Sequence, residues 1–358
     1  MQPQLASRLT GAIISDLASI SEAVARLERA GTGALLLCST DLVLEGLLTD
    51  GDIRRAILRG VPFDQPCSSI ASREPVVGSP GVSAAEALRL MDHAKDFVLN
   101  HLPVIDDKGR VVELLLRSDF VTQERLGLSA VIMAGGYGTR LRPLTDDLPK
   151  PMLPLGDKPL LELTIERLRE AGIKRFHVTT HYLSDKITRH FGNGEALDVD
   201  VNYVNEDRPL GTAGGLKLMS ELDETLLVIN GDILTEVDFR SMLTYHRDHG
   251  ADVTVGVRQY ELQVPYGVVE CDRARVRGIQ EKPVLNFLVN AGIYLLEPTV
   301  HRYIPDGQRF DMTDLIERLV EKGRHVISFP IVEYWLDIGR HGEYQQAQEH
   351  VRQNGNGK

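Results

Sequence analysis

Hydrophobic positions along this chain change their spacing several times, and each change marks an element or a boundary. Between 18 and 57 the order is helix, strand, strand, helix: Ile20, Val24 and Leu27 recur at helical spacing, 33–38 and 44–48 are strand-like, and 50–57 opens a second helix. Residues 82–121 repeat that order, with a helical run at 82–88, strands at 102–105 and 111–116, and a helix start at 118–121. A polar, proline-bearing stretch at 62–81 separates the copies, and 122–128 forms a short connector. From 129 onward strands and helices alternate. Strands are expected at 129–133, about 175–180, 200–204, 225–230 and 252–258, with Leu161, Ile165 and Leu168 lining a helix that ends near Gly172 and another helix near 238–249. This rhythm predicts an α/β fold with a doubly wound, mostly parallel sheet. Beyond 264 the runs 266–270, 275–280 and 288–294 are strand-rich, and helices near 311–322 and 341–353 close the chain. The pattern divides the molecule into an α+β region, 1–126, and an α/β region, 127–358, and the tail 354–358 is expected to fray.

Composition narrows the function more than the fold. The 358 residues carry a net charge of −11, a poor match for non-specific nucleic-acid binding. Cys38, Cys67 and Cys271 form no CxxC pair, so a zinc site is not expected, and so sparse a count fits a reducing compartment. No secretory segment opens the sequence, and no apolar run approaches the ~20 residues that span a bilayer. The expectation is a cytoplasmic protein without a membrane or nucleic-acid partner.

Candidate chemistry concentrates after the first strand of the α/β region. There Gly135, Gly136 and Gly138 are followed by Thr139 and Arg140, and Lys150 sits between two prolines a few residues later. Glycines leave backbone N–H groups uncovered, so such a loop wraps closely around phosphates. It is not a P-loop, which needs Gly-Lys-Ser/Thr opening a helix, nor a dinucleotide fingerprint. A nucleoside triphosphate is the expected ligand. The apolar strand 226–229 ends in Asn230-Gly231-Asp232, and Tyr334-Trp335-Leu336-Asp337-Ile338-Gly339 supplies a second carboxylate. Mg²⁺ suits such a pair, because it favours one or two carboxylates plus phosphate oxygens. The eleven histidines form no catalytic constellation.

Together with Pro209-Leu210-Gly211-Thr212-Ala213-Gly214, Glu281-Lys282-Pro283 and Asn290-Ala291-Gly292-Ile293-Tyr294, these motifs resemble the sugar-1-phosphate nucleotidyltransferases over about 129–340. That family has a Rossmann-like, GT-A-like sheet. The resemblance implies that the glycine loop and Arg140 hold the departing phosphates and that Lys150 lies near the attacked α-phosphate. It implies that Asp232 and Asp337 bind Mg²⁺. Glu281, Asn290 and the backbone at Gly267 would hold sugar hydroxyls, and Lys282 the sugar's phosphate. Family members that use thymidine or uridine nucleotides carry Gln where this chain has Glu206. A carboxylate only accepts hydrogen bonds and suits the adjacent N1–H and N2–H donors of guanine, which points to GTP.

The N-terminal repeat resembles a tandem pair of CBS modules, on Gly46-Leu47-Leu48-Thr49-Asp50-Gly51-Asp52. In that family a Ser/Thr followed by Asp binds an adenosine ribose, here Thr49 and Asp52. In the second copy Leu116 replaces the hydroxyl before Asp119. An adenine nucleotide at the pair is one expectation, a purely structural pair the other, and a homo-oligomer is expected. The combined domain order resembles CBS-containing glucosamine-1-phosphate guanylyltransferases of legionaminic acid biosynthesis, with mannose- and heptose-1-phosphate guanylyltransferases as alternatives. Rival classes are a glycosyltransferase of related fold, which would leave the glycine loop unexplained, and a nucleotide sensor with an inactive transferase domain.

Overall fold

The computed structural model describes residues 3–92, 99–120, 126–219 and 223–355. Residues 121–125, including most of the connector, and 356–358 of the tail lie outside them. The chain forms two compact units, Met1–Leu126 and Gly127–Lys358.

In the first unit, α1 (Pro3–Ala12) and β1 (Ile13–Ile14) precede the two copies of the repeat. The first copy is α2 (Ile20–Ala30), β2 (Ala34–Cys38), β3 (Leu44–Thr49) and α3 (Asp50–Leu58). The second is α4 (Ala84–Asp92), β4 (His101–Ile105) and β5 (Val111–Leu116), followed by a 3-10 turn, Arg117–Asp119; residue 121 of the helix start expected at 118–121 lies outside the described residues. Ser19 and Glu22 close a capping box that starts α2. The copies are joined by their hairpin turns: Leu44 N–H donates to Gly109 O at 3.0 Å and Val111 N–H to Leu42 O at 2.9 Å. Leu36 and Leu47 of one copy then share a core with Val111 and Leu114 of the other.

Thr49 and Asp52 spend their polar atoms on each other. The Thr49 backbone N–H and hydroxyl donate to Asp52 Oδ2 at 2.8 and 2.6 Å, Asp52 N–H returns a bond to Thr49 Oγ1 at 3.3 Å, and Arg55 takes Asp52 Oδ1 at 2.5 Å. This is a reciprocal helix cap for α3. In the second copy Asp119 accepts from Leu116 N–H at 2.9 Å and from Arg8 at 2.7 Å, so the carboxylate keeps its capping place without the hydroxyl.

The second unit runs β6 (Leu128–Met133), β7 (Pro154–Leu155), β8 (Lys158–Pro159), α5 (Leu160–Glu170), β9 (Arg175–Thr180), α6 (Ser184–Phe191), β10 (Asp200–Asn205), α7 (Gly211–Gly214), β11 (Thr225–Asn230), β12 (Ile233–Thr235) and α8 (Phe239–Asp248). It continues with β13 (Val253–Gln263), β14 (Val268–Asp272), β15 (Arg275–Gln280), β16 (Val284–Leu296), α9 (Met312–Glu321), β17 (Val326–Ile331), β18 (Trp335–Asp337) and α10 (His341–Gly355). Seven strands form one sheet in the order β10-β9-β6-β11-β16-β13-β17. β10, β9, β6 and β11 are mutually parallel, whereas β16 runs antiparallel to both β11 and β13. β6 and β11 are near-continuous apolar runs because helices cover both faces of a central parallel strand. α9 lays Met312, Leu315 and Leu319 onto Val131, Val228 and Tyr294 of the sheet. β13 and β16 extend past the sheet as a two-stranded ribbon, longer than their apolar cores predict.

Because Thr49 caps α3, Thr49→Ala is expected to cost about 1 kcal/mol in urea unfolding of the full chain. An unchanged transition would mean the hydroxyl is free for another role.

Candidate active site

A cavity of about 310 Å³ opens where β6, β9 and β11 end, lined there by Met133, Thr179 and Asn230. The carboxyl ends of parallel strands are where open α/β sheets bind ligands. Gly135 and Gly136 form one wall. Among the described residues, the backbone N–H groups of Gly135, Gly136, Tyr137 and Gly138 donate to no protein acceptor. Four donors in one exposed turn form a ready cradle for anionic oxygens. Gly138 holds φ 62°, and a Cβ there would approach Thr145 Cγ2 to 3.0 Å and Lys150 Cβ to 3.2 Å. The buried Thr145 hydroxyl donates to Gly138 O at 2.8 Å and fixes this end of the loop.

On the cavity floor, Lys150 is buried and its Nζ lies 2.5 Å from Asp232 Oδ2. Asp232 comes just after a tight turn: Gly231 N–H donates to Met133 O at 2.9 Å, and a Cβ on Gly231 would stand 2.6 Å from that oxygen. β12 pairs antiparallel with β18 so that Ile233 faces Asp337, and Ile338 N–H donates to Asp232 O at 3.0 Å. Backbone register therefore brings the two carboxylates together. Desolvation and the Asp232 carboxylate push the Asp337 carboxyl above its ordinary range, against the pull of Lys150 and Arg140. The Asp337 side chain still reaches solvent, so this is a rim carboxylate rather than a buried one. Arg140 is exposed, and its guanidinium lies 3.4 Å from where a Cβ of Gly339 would be.

These donors fit Mg²⁺: two neighbouring carboxylates, with room left for phosphate oxygens. Among the described residues no group of three or more His, Cys, Asp or Glu could hold a metal by itself, so the ligand set would need the substrate. Asn230, which the sequence offers only as part of its motif with no role, lines the cavity, and its Oδ1 is buried without a hydrogen-bond partner.

At the other end, Glu206 is buried and lines the cavity. Its Oε2 accepts from Leu210 N–H at 2.9 Å, and burial raises its carboxyl from the ordinary range. The Leu210–Gly214 turn is tied to a distant segment. Ala213 and Gly214 N–H donate to Phe310 O at 3.0 and 2.8 Å, Thr212 N–H donates to Asp311 Oδ1 at 3.1 Å, and Phe310 N–H donates to Leu210 O at 2.8 Å. That contact brings Arg309 and Asp311 to the same cavity as Gly211, although Gln308-Arg309-Phe310-Asp311 carries no motif. The only hint is the acidic N-cap of α9, Asp311 with Asp314 three residues on.

Gly135, Gly136, Lys150, Glu206, Gly211 and Asp232 therefore converge on one cavity. Gly138, Thr139, Arg140 and Asp337 lie beside it without lining it. Gly267, Glu281, Lys282 and Asn290 do not line it either, and all four are exposed on the β13–β16 side of the unit. Gly267 and Glu281 do meet, a Cβ on the glycine standing 3.0 Å from Glu281 Oε2. Lys282 turns the chain with φ 47°, and Asn290 Oδ1 accepts from Gly292 N–H at 3.0 Å.

Residues 129–354 match the nucleotidyl transferase family, and 67–124 match the CBS domain family, a span that holds the second copy of the repeat and leaves out Thr49 and Asp52. The chain is 36% identical over 241 residues to a UTP–glucose-1-phosphate uridylyltransferase of Synechocystis sp., covering 62% of each chain. It is 32% identical over 246 residues to the mannose-1-phosphate guanylyltransferase catalytic subunit beta of Danio rerio, covering 63% of this chain and 68% of that one. A mannose-1-phosphate guanylyltransferase of Mycobacterium tuberculosis is 34% identical over 226 residues, with 59% and 61% covered. The chain thus spans about three-fifths of the length of most of these curated relatives. Among solved structures, a Bacillus anthracis protein assigned as a glucose-1-phosphate thymidylyltransferase superposes with a TM-score of 0.52 at 24% identity, over 63% of this chain and 95% of that one, a likeness of fold.

The geometry around Asp337 has a consequence for stability. A carboxyl held above its unfolded value costs folding energy when ionised, and the cost fades as pH falls through the folded-state value. Asp337→Asn is expected to raise the urea midpoint at pH 7, with the gap closing in acid. A lower midpoint at pH 7 would refute an unfavourable ionisation of Asp337 in the folded chain.

Proposed function

The chain belongs to the nucleotidyl transferase family, and from that premise we propose that it transfers a nucleotidyl group from a nucleoside triphosphate to a sugar 1-phosphate, releasing pyrophosphate. One observation carries the reading: the unspent N–H donors of Gly135, Gly136 and Tyr137 line the same cavity as Lys150 and Asp232. That is equipment for a polyphosphate. No general base is needed, because the nucleophile is an already ionised phosphate. The task is to screen two anions and align them.

In this reading the loop 135–138 grips the β- and γ-phosphates, with Arg140 gathering charge on the leaving pyrophosphate. Lys150 neutralises the α-phosphate from the cavity floor. Mg²⁺, held by Asp232 and Asp337, supplies charge neutralisation on phosphate oxygens when bound. Glu281, Asn290 and the Gly267 backbone bind the sugar hydroxyls and Lys282 its phosphate, from the exposed side of the unit.

For the base we propose guanine. Glu206 is an acceptor-only group on the cavity wall, and the Danio rerio and Mycobacterium tuberculosis relatives bear guanylyltransferase names. For the sugar we propose glucosamine 1-phosphate, on the resemblance of the CBS-plus-transferase order to the guanylyltransferases of legionaminic acid biosynthesis. A second reading, mannose 1-phosphate, is favoured by the names of those same relatives. Action on cytoplasmic nucleotide pools and assembly as a homo-oligomer belong to the same proposal. No helix among the described residues is long and apolar enough to cross a membrane. The first unit is proposed as regulatory, with any adenine nucleotide there having to displace the Thr49–Asp52 cap.

Pyrophosphate release, measured with each nucleoside triphosphate against a panel of hexose, hexosamine and heptose 1-phosphates, tests the reaction. Release is expected with GTP, and silence with every pair would sink the transferase reading. Asp232→Asn is expected to lose Mg²⁺-dependent turnover by at least about a hundredfold while its unfolding curve stays cooperative. Glu206→Gln is expected to erode the preference for GTP over UTP, and an unaltered nucleotide profile would remove Glu206 from base selection.

A further inference from the structure

The glycine loop is anchored unevenly. Its far end is fixed at Gly138 by Thr145, and its near end by the strand, where Ala134 N–H donates to Thr179 O at 3.1 Å. Between them, Gly135, Gly136 and Tyr137 make no backbone hydrogen bond among the described residues, and a Cβ on Gly136 would meet nothing within 4 Å. A segment left so free loses conformational entropy when it closes on a ligand.

One side chain restrains it. The Tyr137 hydroxyl lies 3.0 Å from His181 Nε2, and the ring packs edge-on against His181 at 5.6 Å and tilted against Tyr182 at 5.4 Å. His181 Nδ1 lies 2.7 Å from the backbone oxygen of Glu206. A carbonyl only accepts, so Nδ1 carries the hydrogen, and in the neutral ring Nε2 accepts from the Tyr137 hydroxyl. Tyr182 is fixed in turn, its hydroxyl donating to Asp146 O at 2.9 Å. The chain of contacts runs from the loop, through the residue after β9, to the residue after β10 that carries the Glu206 carboxylate. Tyr137 itself lines the cavity and is about half exposed.

We propose that Tyr137 and His181 are positioning residues, a latch that holds the phosphate loop in its binding shape and ties it to the wall bearing Glu206. The inference rests on the proposed function only in taking a nucleoside triphosphate as the cavity's ligand. By joining the loop to the Glu206 wall, the latch sets the span between the phosphate cradle and the base-reading edge. Preorganisation of this kind acts on nucleotide affinity and leaves the chemical step alone.

The test uses the full chain and GTP, titrated calorimetrically without sugar phosphate, beside steady-state pyrophosphate release. Tyr137→Phe keeps both ring contacts and deletes only the hydroxyl. It is expected to weaken GTP binding and raise the KM for GTP about three- to tenfold, as loss of one hydrogen bond does, with kcat and the KM for sugar phosphate within about twofold. His181→Asn is expected to show the same split. The double variant is expected to be no worse than the weaker single variant, since both act through one contact. Unchanged GTP affinity in Tyr137→Phe, or fully additive losses in the double variant, would overturn the latch. Wild type that binds GTP yet releases no pyrophosphate with any sugar phosphate overturns the proposed function and leaves the latch to stand on the binding data. Wild type that binds no nucleoside triphosphate overturns both.

Discussion

Two carboxylates cannot be set side by side without compensation, and the second unit is arranged around that constraint. The β12–β18 register places Asp337 opposite Ile233, next door to Asp232. Desolvation first, and the Asp232 charge second, raise the carboxyl at Asp337. Lys150, 2.5 Å from Asp232, answers part of it. That ammonium is buried, and a buried ammonium without its partner is costly, so removing either charge alone lowers stability. Pro149 and Pro151 flank Lys150 at the start of a 3-10 turn, Lys150–Met152, and restrict its backbone. Charge balance thus explains why the lysine, the Asn-Gly-Asp turn and the short β18 strand belong together, though they are widely separated in sequence.

The sheet supplies the remaining geometry. β6, β9 and β11 run parallel, so their last residues arrive at one edge, and the segments leaving β6 and β11 become walls of the cavity. After β6 comes the loop with unspent donors, after β11 the acidic turn, and after β9 His181. Close packing then restricts what each turn tolerates. Gly231 passes so near Met133 O that no side chain fits, which keeps the turn at the strand end and Asp232 at the cavity.

Much of this was legible in the chain. Continuous apolar runs identified β6 and β11 because only a central parallel strand hides both faces, and the residues just past those runs were the ones that line the cavity. Two kinds of feature were not legible. Arg309 and Asp311 reach the cavity through bonds to Leu210, Thr212, Ala213 and Gly214, partners about a hundred residues away in sequence with no periodicity to announce them. Tyr137 is the converse, since it sits inside the glycine motif, but its meaning depends on His181, a residue that composition and spacing leave looking ordinary. The β13–β16 ribbon was underestimated for another reason. Its outer half is exposed on both faces, so alternation, the usual strand signal, is lost there.

The two units also show how the same residue types separate by whether their hydrogen-bonding capacity is spent. Thr49 and Asp52 carry a hydroxyl and a carboxylate at the spacing that suits a ribose, and the same spacing suits a helix cap. In the structure every one of those bonds is made within the protein, to each other and to Arg55. A ribose would have to replace a formed cap, and its net gain is reduced by whatever the cap contributes. The glycine loop is the opposite case. Its four N–H groups have no internal partner among the described residues, so a phosphate gains charge-assisted bonds there without breaking a protein hydrogen bond. Ligand binding is therefore least opposed in the second unit, and it is strongest where the donors are held in shape beforehand. A loop rich in glycine provides donors but not shape, which is why its one aromatic side chain, fastened to a neighbouring strand end, matters to the site as much as the glycines do.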